Sequence, residues 1–210
     1  MVNNAFKSIA KWRSVLSNKL GQGILWNITS LAIFAVGGIF INILIVKFKG
    51  DVALGIFNQV YAIYIILAQI GVGGIQYSTL KHISYHQDNP TVCAEISVSA
   101  LILVTLISGI ISLATFLFTD HIANFLDSSG VKEGLLLAIP GILFFSLNKV
   151  LIMVLNGLRN MRAYAVFRAL RFVFIPIFML AIIFSELSEA SLALSLTLTE
   201  LVLFLSLVFY

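Results

Sequence analysis

The sequence is poor in charge. Only 10% of its 210 residues are Asp, Glu, Lys or Arg, against about 25% in a typical water-soluble domain. With 60% hydrophobic residues and a mean hydropathy of +1.06, a water-soluble globular fold is excluded. The single cysteine, Cys93, allows neither an intrachain disulfide nor a thiolate metal cluster, and it reads as a small structural hydrophobe. There are three prolines and no Pro-, Gly- or Ser-rich stretch, so nothing separates a membrane anchor from a soluble enzyme; one membrane domain is expected. Catalytic signatures are missing as well: no Gly-x-Ser-x-Gly elbow, no phosphate-binding loop ahead of Lys-Ser/Thr, no His-Glu-x-x-His. No enzyme, cofactor or metal is expected. The net charge of +4 does not suggest nucleic acid, because the basic residues flank apolar runs rather than forming a patch. A cleavable signal would carry an apolar stretch of about 7 to 15 residues, and the first run here is twice that, so the N-terminus is expected to be retained.

Long uncharged runs are what the sequence has. Leu20 to Val46 is 27 residues without a charge, Val52 to Leu80 is 29 and Ile96 to Thr119 is 24. About 20 residues suffice to cross the hydrocarbon core. Gly134 to Leu158 is apolar except for Lys149, and Ala190 to Tyr210 is broken only by Glu200, with Ser188 placed as a cap. Phe172 to Ser185 offers only 14 uncharged residues, so this span is expected to begin near Phe167 while Arg168 and Arg171 reach back to the interface. The expected fold is all-α, with six transmembrane helices at 23–46, 52–80, 96–119, 134–158, 167–185 and 190–210, preceded by a cytoplasmic interfacial segment, 1–22. In that segment Phe6, Ile9, Leu16 and Leu20 share one side of a helix and Lys7 and Lys11 the other. HIANFL, in the 120–133 loop, is a candidate short interfacial helix.

Basic residues in short loops favour the cytoplasmic side. With the N-terminus inside, Lys7, Lys11, Arg13, Lys19, Lys81, Arg159, Arg162, Arg168 and Arg171 are inside, Lys47, Lys49 and Lys132 outside, and Lys149 within the membrane. This asymmetry predicts a multi-pass protein with a cytoplasmic N-terminus. Gly71, Gly73 and Gly74 read as close helix packing rather than a nucleotide loop, since no strand precedes them. His82 and His86, four apart, have the spacing of metal ligands but nothing nearby completes a site; they and His121 read as loop or interface residues. Pro140 and Pro176 should kink spans four and five, for structure or to shape a cavity. Arg159, Arg162, Arg168 and Arg171 form an arginine-rich segment with Tyr164 and Phe167, either a topology anchor or an attraction for phosphorylated head groups.

Leu25-Trp26-Asn27, Lys49-Gly50-Asp51 through Gly55-Ile-Phe57, Ala68-Gln-Ile-Gly71-Val-Gly-Gly and Leu155-Asn-Gly-Leu-Arg159 through Tyr164 follow in an order that resembles the Wzx-type polysaccharide flippases of the multidrug/oligosaccharidyl-lipid/polysaccharide exporter superfamily. The resemblance runs through essentially the whole chain. It implies two six-helix bundles around a V-shaped cavity that moves undecaprenyl-diphosphate-linked oligosaccharide across the bacterial cytoplasmic (inner) membrane for O-antigen, capsule or other polysaccharide biosynthesis. Membrane lipids and polysaccharide polymerase or assembly proteins are the partners it implies. This chain would be the N-terminal bundle of that MATE-like arrangement, or a half-transporter that pairs with another chain. A multidrug or ion antiporter and a non-transporting scaffold of the assembly machinery are the alternatives; span one has no acid of the kind antiporters commonly use. On the flippase reading, Asn27, Gln59, Gln69, Gln76 and Asn148 are candidate cavity amides, each equally suited to helix-to-helix hydrogen bonding. Lys149 and Glu200 are the only ionisable residues well inside the expected spans, where a charge costs at least about 2.5 to 3.5 kcal/mol. Their depths allow contact: Lys149 is the candidate for the diphosphate and Glu200 for ion coupling, with a structural ion pair between them as the alternative.

Overall fold

The computed structural model describes residues 19–185 and 187–210, so the reading of 1–22 as an interfacial helix falls, but for its last four residues, outside the described residues. All elements among the described residues are helical: α1 (Lys19–Val72), α2 (Ile75–Tyr85), α3 (Pro90–Phe125), α4 (Ser129–Gly157), α5 (Met161–Phe184) and α6 (Leu194–Val208), the last entered through a 3-10 turn, Glu189–Ala193.

The first element is two helices joined at Gly50, whose φ of 85° and ψ of −179° are open essentially only to glycine. Contacts fix the directions on either side. Gly23 lies against Met161 at the start of α5 and Phe48 against Phe184 at its end, so residues 19–49 run parallel to α5. Beyond the glycine, Ile56 meets Gly130 and Gly71 meets Ser146, so residues 51–72 run parallel to α4. Because α4 and α5 are consecutive helices joined by a tight turn, α1 doubles back at Gly50, where a hairpin is expected between spans one and two.

Span two does not continue unbroken to residue 80 as its uncharged run suggests. Gly73 and Gly74 both have positive φ, 55° and 82°, which ends the helix at Val72 and starts α2 at Ile75. The direction is kept, for Ile83 lies on Gly157 and the Ser84 hydroxyl donates to the Gly157 carbonyl. Of the three glycines only Gly71 serves close packing: a Cβ there would meet Ser146 Oγ at 3.1 Å and Ser108 Cβ at 3.2 Å.

Capping sets the next boundaries. The Asn89 side chain accepts from the Val92 N–H ahead of a helix begun by Pro90, which shortens the turn between α2 and α3 to residues 86–89. HIANFL is not a separate interfacial helix. It forms the last turns of the 36-residue α3, since nothing breaks the helix before Asp127, at φ 49°, and the turn is tied by an ion pair between Lys132 and Asp120. At the start of α5, Asn160 accepts from Ala163 N–H. That helix has 24 residues, about 36 Å, and begins at Met161, six residues before Phe167. Ser188 holds the N-cap position of the 3-10 turn that leads into α6, but its side chain makes no capping bond; its hydroxyl donates to Glu133 and lies 2.8 Å from the Ser191 hydroxyl.

The polarity of the molecule is reversed relative to a water-soluble bundle. Val36, Ile39, Ile110 and Leu117 are more than 60% exposed, whereas Ser108, Ser146, Asn148, Ser195 and Thr199 are fully buried. Such a surface is stable against hydrocarbon, not water. Two of the buried hydroxyls turn to their own helix, Ser108 donating to Val104 O at 2.6 Å and Thr115 to Ile111 O at 2.7 Å. Among the described residues, five helices are long and apolar enough to cross a membrane, the first of them doubled at Gly50. The described residues form an all-helical bundle of the kind found in multi-pass membrane proteins.

Helix α4 packs on α1, α2, α3 and α6, and Ile45, Val60, Ala138, Ile142, Met179 and Leu196 form the centre of the largest apolar core. Pro140 interrupts its hydrogen-bond ladder, and a hydroxyl from α6 repairs it. Thr197 Oγ1 accepts from Gly141 N–H at 3.2 Å and donates to Leu137 O at 2.6 Å, bridging the two groups that an unbroken turn would join directly. Tyr64 donates to the Gly141 carbonyl on the other side, at 3.3 Å.

Candidate anion site

Four elements converge on one layer. Met161 opens α5, so Arg168 lies about 10 Å and Arg171 about 15 Å along it; counting back from Gly157 and Val208 puts Lys149 and Glu200 each about 12 Å from the same end of the bundle. Tyr164, Arg168 and Arg171 are spaced i, i+4, i+7 and share one face of α5. The span-one half of α1 adds Asn27, and α4 adds Phe145, Asn148 and Lys149.

At the centre is Glu200, with 3% of its side chain exposed. It forms an ion pair through Oε1 with Arg171 Nε and accepts at Oε2 from Arg171 Nη2 at 3.0 Å and from Asn148 Nδ2 at 2.8 Å. Asn148 also donates to the Glu200 backbone carbonyl at 2.9 Å. A carboxylate held by a two-pronged guanidinium and an amide is compensated within the protein. The depths allow Lys149 to meet Glu200, but the partner is Arg171 instead. The Arg171 side chain is turned to Glu200 on α6, with ten residues of helix preceding it. Its guanidinium also lies on the Phe145 ring, 4.3 Å from the centroid.

Lys149 sits near that same ring, Nζ 5.3 Å from its centroid, and has no hydrogen-bonding or ionic partner among the described residues. Arg168 donates to Asn27 Oδ1 at 3.0 Å and to the Tyr164 hydroxyl at 2.8 Å, both neutral groups, while lying over the Tyr164 ring. Three cations against one carboxylate give the layer a formal charge of +2, with Glu200 buried and Lys149 and Arg168 half-buried. Such an arrangement is suited to taking up an anion bearing two charges, through an arginine fork and a lysine point charge.

The remaining candidates lie elsewhere. Gln59 and Gln69 are exposed, and Gln76 is buried on α2 with Oε1 unpartnered. Arg159 occupies the α4–α5 turn at φ 59°, and Arg162 stacks on Trp26 at 5.6 Å, so the arginine-rich segment is divided between the helix end and the interior. His86 Nδ1 is 3.0 Å from the His82 carbonyl, engaged with its own helix. Sequence reasoning missed Phe145 and the pairing of Arg171 with Glu200, and it named Tyr164 only as part of the arginine-rich segment; the i, i+4, i+7 spacing of Tyr164, Arg168 and Arg171 is the signal that marks them as one face. Comparison with family models, with curated proteins and with solved structures finds no match to this chain.

Proposed function

We propose that this bundle moves an anionic lipid-linked substrate across the membrane, and that the substrate is undecaprenyl-diphosphate-linked oligosaccharide. The observation that carries the reading is the uncompensated charge at Lys149 and Arg168, held next to a Glu200 already committed to Arg171 and Asn148. Holding unpaired cations within a membrane span carries a cost. A diphosphate entering the layer would offset that cost, while a cationic drug would meet charge of its own sign, which weighs against a multidrug antiporter. In this reading Lys149 and Arg168 receive the diphosphate, the glycan occupies a polar cavity completed by a second bundle, and the end bearing Arg159 and Arg162 faces the cytoplasm of a bacterial inner membrane. Glu200 acts as the fixed counter-ion of Arg171 rather than as a proton carrier.

In membrane vesicles supplied with radiolabelled lipid-linked oligosaccharide, Lys149→Ala should lower translocation by about tenfold or more, the loss of one charge-assisted contact of about 1.5 to 3 kcal/mol. Lys149→Arg should keep most of it. Full translocation by Lys149→Ala at normal abundance would overturn the proposal.

A further inference from the structure

We infer that one face of the span-two half of α1, bearing Asn58, Tyr61 and Gln69, is the surface along which the glycan of that lipid lies, an inference that rests on the reading above. Asn58, Tyr61, Ile65 and Gln69 are spaced i, i+3, i+7, i+11 and so form a stripe along one side of the helix. Asn58 and Gln69 are exposed and Tyr61 is half-buried, and none of these three side chains has a hydrogen-bonding partner among the described residues. An unbonded amide or hydroxyl is costly against hydrocarbon. Helix α3 provides the contrast: its exposed side chains between Ile102 and Phe118 are apolar except for Thr105, whose hydroxyl is turned to its own Leu101 carbonyl. The stripe on span two is therefore suited to a polar occupant.

Position and chemistry argue for a glycan. Ile56 lies on Gly130 and Gly71 on Ser146, so a residue of this half is level with one 74 or 75 positions later in α4. Gln69 is thus level with Leu143 and Phe144, close in depth to the Lys149 ammonium over the Phe145 ring, and Asn58 lies 11 residues, about 16 Å, nearer the Gly50 hairpin. Tyr61 is joined to the cation layer through rings. It stacks on Tyr64 with 6.4 Å between centroids, Tyr64 meets Phe145 edge-on at 5.8 Å, and Phe145 carries Arg171 and Lys149. Phe57 stacks on Tyr61 from the other side of the row, at 6.0 Å, and the Tyr64 hydroxyl is fixed to the Gly141 carbonyl, so Tyr61 is held in place with its own hydroxyl left over. A sugar offers hydroxyls to amides and C–H groups to an aromatic ring, and in the proposed substrate it begins where the diphosphate ends. With the diphosphate at Lys149 and Arg168, the glycan follows Gln69, Tyr61 and Asn58 toward the Gly50 end. A second helix would also satisfy the amides, but close helix approach uses small residues, and Tyr61 and Gln69 are long.

The test is equilibrium binding of tritiated lipids to the full chain in nanodiscs, comparing undecaprenyl diphosphate alone with undecaprenyl diphosphate bearing a neutral hexose trisaccharide. The unmodified protein should bind the glycosylated lipid about tenfold more tightly. Tyr61→Leu, and Asn58→Leu combined with Gln69→Leu, should each remove most of that preference and leave binding of the bare lipid unchanged. Gln59→Leu, about 100° round the helix from Asn58, should keep the preference, and Lys149→Ala should weaken both lipids. Equal binding of the two lipids by the unmodified protein, a preference intact in both stripe variants, or equal loss of both lipids in those variants would overturn the glycan surface while leaving the anion reading standing. Failure of the unmodified protein to bind either lipid would overturn both. Benzoylphenylalanine at the exposed Asn58 position should crosslink to the trisaccharide; capture of a second copy of the chain in its place would overturn the glycan surface.

Discussion

Glu200 is held by groups from two other helices, so the three residues Glu200, Arg171 and Asn148 act as one unit. Removing a single partner from a buried ion pair leaves an uncompensated charge and costs about 3 to 5 kcal/mol, whereas replacing both by apolar residues is often neutral. Glu200→Leu and Arg171→Leu should each sharply lower the thermal unfolding midpoint in mild detergent, read by fluorescence-detected size exclusion. The double variant should recover most of the loss; equal destabilisation by the double and the singles would remove the pairing account. How much of this the sequence carries is instructive. Lys149 and Glu200 are conspicuous because they interrupt apolar runs, and Asn148 is found as an amide beside one of them. The pairing of Arg171 is missed because the sequence reading sends it back to the interface from a span begun at Phe167, whereas the helix starts at Met161, ten residues earlier than that arginine.

Two elements depend on single residues at their breaks. In α4 the repair of the Pro140 gap rests on the Thr197 hydroxyl, which makes two bonds at once. Thr197→Val keeps the shape and strands Gly141 N–H and Leu137 C=O, at about 1 to 3 kcal/mol for an unsatisfied buried group. Thr197→Ser should be close to neutral in the same thermal assay. For α1, Gly50→Ala forces a β-carbon onto a backbone at φ 85°, with an expected cost of about 1 to 3 kcal/mol although the space around it is open. The hairpin was legible as the charged stretch Lys49-Gly50-Asp51 between two uncharged runs. The break at Gly73 and Gly74 was not, because an uncharged run records hydrophobicity and is blind to backbone dihedrals. Proline interruptions could be read from the sequence, but not their repair, since Thr197 is 56 residues distant from Gly141.

At the scale of the molecule, odd spans run one way and even spans the other, and α4 is the shared surface on which most of them settle. Six spans in a bundle follow from the uncharged runs, whereas their contacts follow from small residues and polar interruptions that composition does not rank. The Arg171–Glu200 pair also has a consequence for how the chain is made. The two residues are 29 positions apart, and synthesis at about 5 to 20 residues per second leaves the arginine without its carboxylate for roughly 1.5 to 6 seconds. During that interval span five must linger at the insertion machinery or lie shifted toward the interface, and the arrival of span six locks it in place. A truncated chain ending at Leu192 and released from the ribosome should therefore leave Leu187→Cys poorly labelled by an impermeant thiol reagent from the far side, and Arg171→Leu in the same truncated chain should restore labelling. The helix synthesised after span five thus sets its final depth.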